Sequence, residues 1–404
     1  VHARLLELSA QAAALSGDLD AAERAHETLE PLARPDDVVA RAEEHRARVA
    51  LEQHRYADAV RWADSAVERW RNLGRPACDA VLVAAEAVEA TEDDRAALKA
   101  FVAAQALFDG EAERPRLARV EAGMARIALA SGDYGTAENR FRATLAHSRA
   151  VHDARGLFEA LLGLGVVARR AGDTERALRC FDGAERLATE RAHAQILWAQ
   201  RALAVAERGG LEEARAQLDA LSTDAWFHTP GAGAIVPTLA WATLAVGFGP
   251  SWAPTRAQAE QAVERVSRAL EQARADAPAL AVTLQGSLGL MRALAGDTER
   301  GRRESDAAVA RFVRRGALRE DEPWRFLVQH AAVLARAGAP PAERAAVLSK
   351  AIQHLDLVLS RLDRAARERA LGRPGAEGLL TAARAVGLDV VRDSRSHRVT
   401  AGAS

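Results

Sequence analysis

Apolar residues along this chain recur at steps of three and four, in stretches of about 14 residues that come in pairs. Such a step places one apolar face on a helix, so each pair reads as two amphipathic helices. Between the two members stands a short polar signal. It reads Gly17-Asp18-Leu19-Asp20-Ala21-Ala22, then His54-Arg55-Tyr56-Ala57-Asp58-Ala59, with a weaker form from Glu92 to Ala97. It returns as Gly132-Asp133-Tyr134-Gly135-Thr136-Ala137, Gly172-Asp173-Thr174-Glu175-Arg176-Ala177, Gly209-Gly210-Leu211-Glu212-Glu213-Ala214 and Gly296-Asp297-Thr298-Glu299-Arg300-Gly301. The last residues fall at 22, 59, 97, 137, 177, 214 and 301, so the spacings are 37, 38, 40, 40 and 37, then 87, which is two periods. Glycine ends a helix cheaply in the left-handed conformation, and aspartate starts the next. The pattern therefore predicts helical hairpins with very short connections. Sustained alternation and Asn-Gly turns, the marks of strands, are missing from the sequence.

Within the hairpins, Leu164-Gly165, Gly172-Asp173, Ala177, Phe181 and Ala184 resemble the tetratricopeptide repeat pattern, a small residue in each helix and an aromatic on the second. Leu288-Gly289, Gly296-Asp297 and Ala308 resemble it too, as do Gly132, Tyr134, Ala137 and Phe141. The resemblance implies an all-α fold, a right-handed superhelix (α-solenoid) of about eight or nine antiparallel helical hairpins. The period exceeds the family's usual spacing of about 34, which implies longer second helices. Long-period arrays of this kind resemble the helical arms of bacterial multidomain regulators.

The expected organisation is a repeat array over 1–345, capping helices over 346–392 and a disordered tail over 393–404. The array is interrupted at about 222–256. After Pro340-Pro341 one long helix is expected from Ala342 to Leu371, and a short one from Ala376 to Val386. From Ala225 to Thr255 there is no formal charge, but Pro230, Gly231, Gly233, Pro237, Gly247, Gly249, Pro250 and Pro254 divide the stretch. What remains suits a buried core helix better than a membrane span. Three of the seven tryptophans, Trp226, Trp241 and Trp252, fall here with Phe227 and Phe248. Trp241 lies where a repeat is due and is expected in the core. Trp226 and Phe227 precede a Gly/Pro-rich loop and are expected at the surface, available to a partner.

Composition narrows the function classes. The 404 residues carry a formal net charge of −1, without the basic surplus that general binding to nucleic acid or anionic membranes requires. Of the 55 basic residues only Lys99 and Lys350 are lysine, and with so much alanine this reads as a GC-rich bacterial coding bias. Two cysteines, Cys78 and Cys180, make no disulfide framework or zinc site and fit a reducing cytoplasm. The start, Val1-His2-Ala3-Arg4-Leu5-Leu6, is no secretory signal and reads as the middle of an amphipathic helix, as expected of a piece of a longer protein, with an alternative start codon or trimming as the competing readings.

Motifs for chemistry are missing from the sequence or misplaced in it. Gly163-Leu164-Gly165-Val166-Val167-Ala168 matches a dinucleotide-binding pattern, but its glycines lie inside a repeat helix, where their amides are committed to internal hydrogen bonds. Both lysines precede alanine, which excludes a Walker-type phosphate loop. Gly286-Ser287-Leu288-Gly289 is not a nucleophile elbow. His147 and His152 are five apart, a poor fit to one helix face, and the neighbours Glu43-Glu44 and Asp93-Asp94 diverge on a helix. No second recognition helix follows the Ala376–Val386 segment. Catalytic, cofactor and metal residues are therefore expected to be none.

What the resemblance offers instead is a groove lined by the first helix of each hairpin. Aligned on the anchor residues, Arg41, Arg48, Arg119, Arg126 and Arg169 belong to that side, the first four as pairs seven residues apart on one helix face. Arginine's planar fork suits carboxylates, so an acidic protein or peptide partner is expected. An ordinary solvated arginine face is the competing reading. The asparagine-based chaperone-tail clamp of some family members finds no support, since Asn72 and Asn139 are the only asparagines and fall elsewhere. The expectation is a protein–protein interaction module, the regulatory or sensor arm of a larger bacterial signalling or transcription-regulatory protein. The alternatives are a freestanding adaptor linking two partners and, third, an enzyme with an unrecognised site.

Overall fold

A computed structural model describes residues 13, 19–29, 36–91, 93–108, 113–189, 191–223, 236–240, 242–243, 254–315, 318, 321–392 and 399–403. Trp226, Phe227 and Trp241 lie outside the described residues. The chain divides into two compact units, Val1–Met124 and Ala125–Ser404.

The first unit contains α1 (Leu19–Leu29), α2 (Asp36–Glu52), α3 (Tyr56–Asn72), α4 (Cys78–Ala90), α5 (Asp94–Gln105) and the beginning of α6 (Arg114–Ala130). Its core is built on alanine. Ala40 clusters with Ala66 and Ala80, Ala47 with Ala63 and Val83, and Ala50 with Ala59 and Ala87. Ascending numbers on α2 meet descending numbers on α3 and ascending ones on α4. Each second helix therefore runs antiparallel to its own first helix, and successive first helices run parallel. Small side chains at these crossings bring the helix axes close.

The second unit continues with α7 (Tyr134–Ala150), α8 (Ala154–Arg170), α9 (Thr174–Glu185), α10 (Arg191–Glu207), α11 (Leu211–Thr223), α12 (Arg256–Asp276), α13 (Pro278–Ala295), α14 (Thr298–Arg315), α15 (Pro323–Arg336), α16 (Pro341–Ser360), α17 (Arg364–Leu371) and α18 (Pro374–Ala385). Residues 236–240 and 242–243 are helical as well. Val236, Leu239, Ala240 and Ala242 join the core formed by α10 to α13, where the doubled spacing leaves room for a repeat. On α13 every residue from Ala279 to Met291 is buried.

The anchor residues explain the repeat physically. Each is the fourth residue of its helix, from Ala22 in α1 to Gly301 in α14. The six alanines among them are 0% exposed. The connections end as predicted. Gly132 and Gly172 both take the left-handed conformation, with positive φ. The next amides, Asp133 and Asp173, reach back to the carbonyls of Ala128 and Ala168. The Asp133 and Asp173 side chains then accept from the amides of Thr136 and Arg176. At the connection before Ala59, where histidine stands in place of glycine, His54 adopts the same left-handed conformation.

Gly163 and Gly165, the would-be dinucleotide motif, face aromatic rings. A Cβ on Gly163 would stand 2.4 Å from the Phe141 ring, and one on Gly165 2.3 Å from Phe181. The glycines make room for the aromatics of the second helices, whose burial contributes roughly 1.5–3 kcal/mol each.

Three expectations change. The extra length of the repeat does not sit in the second helices alone. First helices α2, α6, α8 and α10 have 17 residues each, while second helices α5 and α9 have only 12. In α8 Gly163 to Arg170 are all buried, so added turns on a first helix cover surface on more than one side. The long helix expected from Ala342 to Leu371 is broken between α16 and α17. There the Asp363 side chain accepts from the Ala366 amide at 2.8 Å, which starts a new helix. The tail expected to be disordered contains β2 (Val399–Ala403), antiparallel to β1 (Leu388–Arg392), with Leu388 opposite Ala403. Val399 is 1% exposed, and its amide donates to Asp356 Oδ1 on α16. That support comes from a helix far back in the chain.

No described helix is long and apolar enough to cross a membrane.

Candidate functional site

In the first unit, α2, α4 and α6 share a polar face. Arg41, Glu44 and Arg48 are spaced along α2, Asp79 and Glu86 along α4, Arg116 and Arg119 along α6. The arginines of α6 are engaged by α4. Arg116 forms a fork with Asp79, Nε to Oδ1 at 2.9 Å and the second nitrogen to Oδ2 at 2.7 Å. Its remaining nitrogen donates to Glu113 at 2.7 Å. Arg119 forms a second fork with Glu86, its Nε donating to Oε1 at 2.8 Å. The Arg116 hydrogen bonds hold the Asp79 carboxyl below its ordinary range. Burial, and then Asp79 nearby, pushes Glu44 up, while its Oε1 accepts the Ala80 amide. Arg41 pairs with Asp37 one turn back, at 3.1 Å.

Arg48 differs. It is half-buried and makes no hydrogen bond or ion pair with any described residue. Burial, followed by repulsion from Arg119, lowers its pKa, while Glu86, Asp79 and Glu52 act in the opposite direction. A guanidinium stays protonated even so. What remains is a cation with donors to spare beside a neighbour whose fork is already filled.

In the second unit, Arg126 on α6 pairs with Glu159 on α8. Arg169, expected to face a partner, is 2% exposed and lies inside an ion cluster. Its Nη1 donates to Glu207 Oε1 at 2.9 Å, and its Nη2 to Gln200 at 3.3 Å. Arg325 reaches the same Glu207 oxygen at 3.4 Å. Glu322 Oε1 accepts from Tyr134 Oη at 2.8 Å, Trp324 Nε1 at 3.0 Å and Arg373 at 2.9 Å. Arg373 also donates to Glu322 Oε2, to Glu207 Oε1 and to the carbonyl of Arg170. Burial alone would neutralise Glu322 and Glu207, but Arg373 and its arginine neighbours hold both carboxyls below their ordinary range. For Arg373, burial works against the charge and the two glutamates outweigh it. Burial raises Tyr134, with Glu322 adding to it, so the phenol stays a donor. Asp321 is pushed up by burial.

Glu207, Glu322, Arg325 and Arg373 escaped the sequence reading. Each is a single charge in a chain rich in charges, and none of their local patterns announces burial.

Ser305, His330 and Asp306 have the residue types of a nucleophilic triad. Ser305 Oγ is 2.8 Å from His330 Nδ1, and His330 Nε2 is 3.7 Å from Asp306. Ser305 is 2% exposed, and a Cβ on Gly289 would stand 2.9 Å from its own. No substrate reaches that hydroxyl, so the hydrogen bond is a packing feature between α14 and α15. Among the described residues no group of three or more His, Cys, Asp or Glu is placed to hold a metal ion.

No protein-family model matches this chain, and no curated protein does. Solved structures do match it. The apo form of the quorum sensor NprR from B. thuringiensis has a TM-score of 0.56 at 14% identity, over 77% of this chain and 87% of that one. NprR in complex with its cognate peptide NprX gives the same score and identity, over 75% and 85%. A Rap protein complexed with competence and sporulation factor gives 0.52 at 11%, over 87% and 98%. Together with the hairpins, the buried anchors and the glycine–aromatic contacts, these likenesses show that the chain has a tetratricopeptide-like helical-repeat fold.

Proposed function

We propose that the chain is a peptide- or protein-binding module, the regulatory arm of a larger bacterial signalling or transcription-regulatory protein acting in the cytoplasm. Its partner is an acidic segment that docks on the first-helix face of the first unit. The observation that carries this reading is Arg48, a half-buried cation unpaired among the described residues, on a face whose neighbouring arginines are paired. A carboxylate arriving there gains a charge-assisted hydrogen bond without breaking an existing one. Arg119 and Arg41, on the same face, are each already paired with a carboxylate of the chain, which leaves Arg48 as the group that reads the arriving charge. The likeness to NprR, solved with its cognate peptide, and to a Rap protein, solved with competence and sporulation factor, supports a peptide as the bound species.

The test compares a fluorescent glutamate-rich peptide with its glutamine counterpart in anisotropy titrations, using the full chain and Arg48→Glu. The acidic peptide should bind, and the glutamine one should bind weakly. Arg48→Glu should lose about tenfold or more in affinity while its circular dichroism spectrum stays that of the folded parent. Equal binding of both peptides, or a variant that binds like the parent, overturns the reading.

A further inference from the structure

Arg373 stands between α17 and α18 and is 6% exposed. Its two terminal nitrogens meet the two oxygens of Glu322 at 2.9 and 2.6 Å, one to one. That is the planar fork by which a guanidinium reads a carboxylate. The same nitrogens reach the Arg170 carbonyl at 2.8 Å and Glu207 Oε1 at 3.0 Å. The Trp324 ring stands close enough to the guanidinium carbon for a cation–π contact. These acceptors come from α8, α10 and the start of α15, and they are oriented without help from Arg373. Tyr134 and Trp324 fix Glu322, while Arg169 and Arg325 fix Glu207. We infer that these groups form a guanidinium-recognition socket, which the chain fills in cis with its own Arg373, making that side chain the pin that seats the C-terminal helices over the hairpin tips of the second unit.

The seam around the plug is closely fitted. Arg361 donates to the Ser131 carbonyl at 3.1 Å. The tip at Gly172 touches the backbone of α17 so closely that a Cβ there would stand 2.6 Å from the Arg369 carbonyl carbon. Gly132 would meet Val358 at 2.8 Å. The cluster is also imperfectly satisfied. Arg169 Nε, Arg170 Nε, Arg373 Nε, Glu207 Oε2 and Asp321 Oδ2 are buried without a hydrogen-bond partner among the described residues. Buried ion clusters of this kind specify an arrangement more than they stabilise it. Apolar packing of α16 to α18 against α15 holds these helices in place, and Arg373 selects the arrangement in which they sit. The socket does not depend on the first unit's Arg48 face.

Chemical rescue tests it. Arg373→Ala removes the plug and leaves the socket. Amide exchange over 361–385 should accelerate about tenfold or more, with α8 and α10 retaining their protection. Low-millimolar guanidinium chloride should restore the protection, while equal sodium chloride or methylammonium chloride should not, and the parent chain should respond to none of them. Gly172→Leu lifts the same seam by collision, with plug and socket intact, and guanidinium should leave its faster exchange uncorrected. Exchange unchanged in Arg373→Ala, or accelerated and not restored by guanidinium, overturns the proposal. Should Arg373→Ala fail to fold, Arg373→Lys keeps the charge without the fork. A rise confined to 361–385 supports the socket, and exchange like that of the parent overturns it.

Discussion

At the scale of single residues, burial decides chemistry. His330 and His354 both have pKa values lowered by burial from the ordinary 6.5. Around His330 the charged neighbours Asp306 and Glu343 favour the proton and Arg302 opposes it. A group that holds its proton less tightly when folded contributes stability in full above its unfolded pKa, and loses it as pH falls below that value. The melting temperature should therefore decline on acidification from pH 6.5 downward. Glu207 and Glu322, also depressed, add a second loss below their ordinary 4.5, and Asp321, shifted the other way, partly offsets it. In His330→Gln, which keeps a polar partner for Ser305, the decline in the first window should be shallower. A pH profile identical to the parent's would assign that loss to other groups.

At the scale of helices, the repeat is held by pairs of small and aromatic residues. Alanine in place of a helical glycine ordinarily gains about 0.5–1 kcal/mol. At Gly165 the new Cβ would stand 2.3 Å from the Phe181 ring, and overpacking of a filled core costs about 1–3 kcal/mol. The second effect wins, so Gly165→Ala should destabilise the chain by about 1 kcal/mol, read by denaturant unfolding. A stabilised variant would mean that the Phe181 ring swings aside at no cost. Ala177, 0% exposed against the same layer, is the matching position on α9.

For the whole molecule, the ends of the second unit are joined by contacts that skip most of its length. Tyr134 meets Glu322 and Arg170 meets Arg373, while the Asp356 side chain holds Val399 from 43 residues back. The C-terminal strand pair belongs to this level, because an isolated two-stranded hairpin is marginal in water. Val399→Asp should cost about 2–3 kcal/mol, from lost apolar burial and an unpaired buried charge. Exchange protection across 388–392 should fall with it. A variant as stable as the parent would show that the strand contributes nothing to the core formed by α13 to α18.

Periodicity alone determined the hairpins, the positions of their turns and the buried anchors at Ala22, Ala59, Ala97, Ala137, Ala177, Ala214 and Gly301. These depend on contacts within one repeat or with the next, so the information lies within about forty residues. The reason Gly163 and Gly165 are not a nucleotide motif was legible on the same grounds. Which arginines are free was not. Arg48, Arg119 and Arg169 carry the same side chain on the first helices of their hairpins. Yet one is unpaired among the described residues, one is forked to Glu86 and one is buried on Glu207. Their partners lie 33 and 38 residues away on other helices, and a surplus of charged residues offers many equivalent pairings. The pin at Arg373 reaches further, 203 residues to Arg170. Charge has no period and no direction along the chain, so only the folded geometry decides which charges meet and which are left without a partner.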